Sequence, residues 1–248
     1  VRIAVVSDIH GNLTALEAVV RDLRQVAPDL VLHGGDLAFA GARPAEVIDR
    51  VRELGWPGVY GNVDELLFRP AALDEFASSQ PLPLSLRAAL GELGEATRAV
   101  LGLQRCAWLA SLPVAYTTEA LALVHASPES VWHGPPVDAS AEELQATFGA
   151  LQRPLAVYGH IHRPYVRELP GLTVANSGCV SQPFDDDLRA AYLLVTDGRP
   201  EIRRVEYDLA RELEALQDSP LPHADWLMRI LVRGPGELPA PQPDRPVK

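Results

Sequence analysis

The chain is 248 residues long, 47% apolar, and carries a formal net charge of −11. That is ample apolar content for a packed core. The acidic balance, with a pI near 5.1, argues against a protein that grips long nucleic acid through its phosphate backbone. Two cysteines, Cys106 and Cys179, are too few for a disulfide framework. No apolar run approaches the ~18 residues of a membrane span, and no basic, signal-like leader is visible. These features point to a reducing compartment, the cytoplasm, and to no membrane partner.

In chain order, the first apolar run is Ile3-Ala4-Val5-Val6, which ends in Ser7-Asp8-Ile9-His10-Gly11-Asn12. A helix follows, with Leu13, Leu16, Val19, Val20 and Leu23 at helical spacing and Thr14 and Glu17 in capping-box register. A strand at about 29–33 ends in His33-Gly34-Gly35-Asp36, a helix covers about 44–54, and a strand at about 57–60 ends in Gly61-Asn62-Val63-Asp64. This alternation is the pattern of parallel βαβ units.

From about 64 to 112 strand signals stop. The segment is rich in Ala and Leu and reads as a helical insertion over or beside the sheet rim, with one or two helices across Leu86 to Leu109 and Asp64 as the N-cap of a short helix at 65–69. Strands return at about 113–117, 120–124, 154–158, 164–168, 172–175, 189–196 and 201–206, several joined by short turns such as Asp197-Gly198-Arg199-Pro200. A loop at 128–138, with Trp132 and His133, leans toward the same rim. The expected organisation is two packed sheets with helices outside, over residues 1–233. Residues 234–248, with five prolines in fifteen positions, read as a Pro-rich flexible tail.

The chemistry sits at the strand ends. Asp8, His10, Asp36, Asn62, His125, His160 and His162 each follow a short apolar run or its turn. Ligands of open α/β sheets bind beyond the carboxyl ends of the strands, so these residues read as one site built from several loops. Asp, His and Asn together suit divalent transition metals, with Mn, Fe, Co, Ni and Zn as candidates. Seven such groups suffice for two ions if one carboxylate bridges. Two ions roughly 3.5–4 Å apart can activate water and neutralise a phosphoryl group. Singly, each residue has a plainer role: Asp8 as a cap, Gly35-Asp36 and Gly61-Asn62 as turns, His33 as a structural histidine, His133 and His223 as surface residues.

Asp8-x-His10, Gly35-Asp36, Gly61-Asn62-x-Asp64, His125 and Gly159-His160-x-His162 resemble, in order, the signature blocks of the calcineurin-like metallophosphoesterases, above all their small bacterial and archaeal branch, which includes compact phosphodiesterases. The resemblance spans residues 3 to about 180. It implies a four-layer αββα sandwich of two mixed β-sheets with flanking helices and a dinuclear centre at the sheet rim. It implies that Asp8, His10 and His162 hold one metal, that Asp36 bridges to the second, and that Asn62, His125 and His160 complete it, with a hydroxide shared by the ions as nucleophile. Asn62 would also reach the substrate phosphate.

Where many members have a histidine that assists the leaving group, this chain has Val63. Such acid help is typically worth 10²–10⁴-fold. Val63-Asp64 also departs from the protein serine/threonine phosphatases, which usually place a Glu after that histidine. The expected activity is hydrolysis of a small phosphate ester, a nucleotide among the candidates, by a phosphodiesterase in preference to a monoesterase or protein phosphatase. A non-catalytic scaffold on the same fold is the alternative, as in a retromer subunit that resembles the family, although all seven ligand positions are filled. Assembly into a homo-oligomer is left open.

Overall fold

A computed structural model describes residues 1–234, 236, 238 and 239. The Pro-rich segment therefore lies almost wholly outside the described residues. Among the described residues, nine strands form two sheets. One contains β1 (Arg2–Val6), β2 (Leu30–His33), β8 (Ala190–Thr196) and β9 (Arg199–Val205), in the order β2-β1-β8-β9. The other contains β3 (Ala115–Thr117), β4 (Ala122–Val124), β5 (Leu155–Tyr158), β6 (Tyr165–Leu169) and β7 (Leu172–Asn176), in the order β3-β4-β5-β7-β6. Both are mixed. The pairs β1–β2, β4–β5 and β5–β7 are parallel, and the remaining neighbours are antiparallel.

Strand alternation sorts the side chains into layers. Ile3, Val5, Leu193 and Val195 point inward and meet Leu123, Leu155 and Val157 between the sheets. Their neighbours Ala4, Val6, Tyr192 and Leu194 face outward. On that side lie α1 (Leu13–Val26), α2 (Pro44–Leu54), α7 (Leu209–Asp218) and α8 (Ala224–Arg233). On the outer face of the other sheet, Val124, Ala156, Tyr158 and Val174 pack on Leu144 and Phe148 of α6 (Ala141–Phe148). Helix, sheet, sheet and helix make the four layers.

Three helices fill the interval between the third and fourth blocks: α3 (Asn62–Phe68), α4 (Ala71–Ser79) and α5 (Leu84–Ala110), the last broken at Gly102, whose φ is 69°. Leu66, Leu67, Leu93 and Leu101 tie them into the outer core of the first sheet.

Several expectations need correction. The run at 57–60 forms only a single bridge, His33 to Gly58. Val59 N–H donates to the His33 carbonyl beside the first sheet, whereas Tyr60 N–H donates to Pro113 near the start of the second sheet. A segment shared between two sheets cannot ladder with either. The cap of α1 is Asn12, whose Oδ1 accepts the Ala15 N–H at 2.9 Å. Thr14 instead donates to the buried Glu212 of α7 at 2.7 Å, which Arg43 also pairs at 2.7 Å. Nor is His223 a surface residue: it is buried at the start of α8 with Nε2 2.9 Å from Glu92.

The layer between the sheets supplies a direct check. Leu123 is fully buried there. Leu123→Ala should cost about 2–5 kcal/mol in urea unfolding; a loss below about 1 kcal/mol would mean that the two sheets do not pack as described.

Candidate metal centre

The carboxyl ends of β1, β2, β4 and β5 converge, and the loops that leave them zip together. The N–H groups of Asp8, His10 and Gly11 donate to the carbonyls of Gly35, Asp36 and Leu37 at 2.9–3.0 Å, and Gly159 N–H donates to the His125 carbonyl at 2.9 Å. A further loop, after β7, closes the ring: Val180 and Ser181 donate to the carbonyls of Ser7 and Asp8. The seven residues singled out in the sequence all belong to this cluster.

Two groups have their donor atoms within 4.8 Å of one another: Asp8, His10 and His162, and Asp8, Asp36 and His125. Asp8 is common to both. Asp36 Oδ2 also lies between the groups, 3.3 Å from His125 Nε2 and 3.9 Å from His10 Nε2. Asn62 Oδ1 stands 3.0 Å from His125 Nε2 and 3.0 Å from His160 Nδ1. Asn62 and His160 are half-buried while the other five are buried, so the site opens on their side.

The backbone decides which atoms face the centre. His10, His125 and His162 bring Nδ1 to the carbonyls of Phe39, Gly34 and Gln182, at 3.0, 2.8 and 2.8 Å. A carbonyl only accepts, so each Nδ1 carries the proton and each Nε2 presents a lone pair inward. The carboxylates are divided likewise. Asp8 Oδ2 accepts from Ser7 Oγ at 2.5 Å and from the His160 N–H at 3.2 Å, and Asp36 Oδ1 accepts from the Val63 N–H at 3.1 Å. The His160 N–H also reaches Asp8 Oδ1 at 3.3 Å, and that oxygen and Asp36 Oδ2 are the ones turned toward the histidine Nε2 atoms.

Acceptors therefore confront acceptors. His10 Nε2 and His162 Nε2 are 3.2 Å apart, and His162 Nε2 is 3.2 Å from Asp8 Oδ1. Such contacts hold only if a cation or a proton stands between them. Borderline imidazole nitrogen and hard carboxylate oxygen suit a divalent transition metal, so these residues fit the ions that their types suggest.

Protonation in the metal-free protein follows the same logic. Burial works against charge on His125, yet Asp36 and Asp8 outweigh it and lift its pKa to about 9. His162 is also raised, because Cys179 and Asp8 overcome its burial. Burial, then His162, lowers His10, and burial with His125 pushes His160 down to about 4. Burial opposes ionisation of Asp8 and Asp36 too, but the neighbouring histidines hold both carboxyls below the usual range. A proton on His162 would thus lie between it, His10 and Asp8, and one on His125 between it and Asp36.

Residues 1–198 match the sequence profile of the calcineurin-like phosphoesterase superfamily domain. The chain belongs to that superfamily. It is 28% identical over 255 residues to the protein MJ0912 of Methanocaldococcus jannaschii, an alignment covering 94% of this chain and 98% of that protein. A metallophosphoesterase from Sphaerobacter thermophilus is 29% identical, with a TM-score of 0.76 over 94% of this chain and 98% of its own. The protein PH1004 of Pyrococcus horikoshii OT3 shares the fold at 19% identity, with a TM-score of 0.82 and the same coverage.

In this member of the superfamily, some of the supporting residues escape a reading of sequence. Asp64 is not the N-cap of a helix at 65–69. It lies inside α3, where one carboxylate oxygen accepts from the N–H groups of Gly61 at 3.0 Å and Asp36 at 2.7 Å, and the other from Leu37 at 3.0 Å. It thereby clamps the Asp36 loop onto the Asn62 helix. Burial and the adjacent Asp36 charge push its carboxyl up to about 7. Ser7 and Gln182 were equally unmarked, since each acts through one oxygen atom on a neighbouring ligand. His33 lies apart from the site, buried beside Trp108, with burial lowering it to about 4.

The raised histidines give a pH test with a definite sign. His125 and His162 bind protons more tightly than free imidazole, so at about pH 7 a metal must displace them. Mn²⁺ loading should release about one proton per ion, seen by calorimetry in buffers of different ionisation enthalpy. Affinity should climb with pH and, for His125, level off near its value of about 9. Affinity unchanged between about pH 6 and about pH 8 would contradict this assignment. A second check is Gly61→Ala: its methyl would overlap the Asp36 carboxylate, and metal affinity should fall by about tenfold or more, as for other residues that orient ligands.

Proposed function

We propose that this protein hydrolyses small phosphodiesters with two divalent metal ions, Mn²⁺ first among them. The observation that carries the reading is the pair of inward-facing acceptor groups, Asp8–His10–His162 and Asp8–Asp36–His125, with Asn62 and His160 at the open side. In it, Asp8, His10 and His162 would hold one ion, Asn62, His125 and His160 the other, and Asp36, whose Oδ2 lies between the two groups, would serve both. When bound, the ions supply an activated water nucleophile and positive charge for the phosphoryl oxygens.

The chain's own residues do the rest. The carbonyls of Phe39, Gly34 and Gln182 fix the imidazoles in the binding tautomer, so no reorganisation is needed as charge develops. With Oδ1 of Asn62 engaged at His125 and His160, its amide N–H groups serve the substrate's phosphoryl oxygen. Asp8 and Asp36 offset part of the charge of two divalent ions. The positive charge that is left would attract a phosphoryl anion.

Val63, buried beside Asn62, has no proton to give a leaving group. Substrates whose leaving group is already a stable anion should therefore turn over fastest. The free thiols Cys106 and Cys179 fit a cytoplasmic protein.

Metal-stripped protein should recover cleavage of bis-p-nitrophenyl phosphate on addition of Mn²⁺, faster than that of p-nitrophenyl phosphate. Asp36→Ala should lower kcat by about 10³-fold or more, with the circular dichroism spectrum unchanged. Full activity in that variant would sink the two-ion mechanism. Cleavage of the monoester alone would keep the metals and overturn the preference for diesters.

A further inference from the structure

Beside the candidate metal ligands lies a cavity of about 380 Å³, within the range of small-molecule sites. Asn62 and His160 line it, and these are the two half-buried members of the metal site. Leu66 of α3, Leu73 and Phe76 of α4, Leu82 of the α4–α5 connection and Leu90 of α5 line it from the helical cap. Trp132, His133 and Gly134 line it from the loop between β4 and α6.

We infer that this cavity is a subsite for one aromatic ring of the phosphoester substrate, of the size of a nucleobase or aryl group. The inference rests on the phosphoesterase reading above and adds the class of substituent. Its first support is continuity. A phosphorus atom held at Asn62 and His160 carries its ester oxygens at the mouth of the cavity, so the group attached to one of them enters it. A second is the chemistry of the lining. Phe76 stacks on Trp132 with centroids 4.9 Å apart and planes at 29°, and the His133 ring lies 5.2 Å from Phe76. Flat apolar faces of this kind favour a flat guest in offset or edge contact. Gln80 and His133 add the few polar groups that would orient ring heteroatoms.

Preorganisation is the third support. Trp132 Nε1–H donates to Glu65 Oε2 at 2.5 Å, and Glu65 Oε1 is paired with Arg69 at 2.9 Å, so an ion pair anchors the aromatic wall to α3. A wall fixed before the ligand arrives loses little entropy on binding. Trp132 is therefore more than packing against the insertion.

The test uses Mn²⁺-loaded full-length protein and two ligands that cannot be hydrolysed, phenylphosphonate and methylphosphonate, compared by calorimetry. Phenylphosphonate should bind about tenfold tighter, equivalent to about 1.4 kcal/mol. Leu82→Glu and, separately, Phe76→Ala should shrink that ratio toward unity. Equal affinities for the two phosphonates in the unaltered protein would overturn the subsite, even with diester hydrolysis intact. A tenfold preference that neither substitution moves would also overturn it, by placing the ring elsewhere. Failure of both ligands to bind, together with no diester hydrolysis at any metal concentration, would instead remove the phosphoesterase reading on which the subsite depends.

Discussion

Everything at the rim depends on one electrostatic constraint: buried lone pairs and carboxylates aimed at each other across about 3 Å. His10 Nε2, His162 Nε2 and Asp8 Oδ1 form one such confrontation, and His125 Nε2, Asp36 Oδ2 and Asn62 Oδ1 another. Unpaired polar groups in a low-dielectric interior are costly. The arrangement persists because the orienting bonds of His10, His125 and His162 come from loops other than their own. Gly34, on the β2 loop, orients His125, which follows β4, while Phe39 orients His10 and Gln182 orients His162. No ligand can relax alone. Two protons can satisfy the cluster, as the raised His125 and His162 show, and two ions would do so with more charge.

The backbone carries the same constraint. Asp8, His10, Asp36, His160 and His162 have φ of 56°, 47°, 53°, 66° and 54°. Each is a left-handed residue with a side chain, a conformation that costs of order 1–3 kcal/mol and collects at functional sites. Asp and His tolerate it better than most residues, which helps to explain why these residue types could be recruited there. Asp64 holds the strained Asp36 turn with a bidentate grip on the Asp36 and Leu37 N–H groups. This position therefore belongs to the site's scaffolding whether or not a histidine precedes it. The clamp is built from backbone N–H groups alone and makes no use of the Val63 side chain.

The two mixed sheets were legible because strand burial writes itself as short apolar runs, and the residues of the rim cluster because each run ends in Asp, His or Asn. What stayed hidden depends on three-dimensional neighbours. The run at 57–60 has strand composition, but its hydrogen bonds are split between His33 and Pro113. The helices α7 and α8 follow the last strand, where attention to strand ends finds nothing. By contrast α6 had a readable signal: Ser140 and Glu143 form a capping box, with Glu143 N–H donating to Ser140 Oγ at 3.1 Å and Ser140 N–H to Glu143 at 2.7 Å. Left-handed φ values and carbonyl-to-imidazole bonds leave no composition trace, so the sequence showed which residues meet but not which atoms.

The contrast between the rim and the cap suggests how the molecule divides its labour. The candidate metal ligands sit on turns locked by backbone bonds between neighbouring loops, so that a shift in one is resisted by all. The cavity next to them is walled instead by leucines and aromatics from α3, α4, α5 and the loop after β4, held chiefly by packing. Packed apolar walls can change shape by substitution at modest cost, whereas a methyl group on Gly61 already collides with Asp36. On the proposed reading, chemistry would be confined to the part of the fold that tolerates least change, and selection of the substituent on phosphorus would fall to the part that tolerates more. Asn62 joins the two: it is the first residue of α3, it touches both His125 and His160, and it opens onto the cavity. A change in the cap reaches Asn62 through that helix, and the Asp64 clamp at its first turn limits how far such a change can travel.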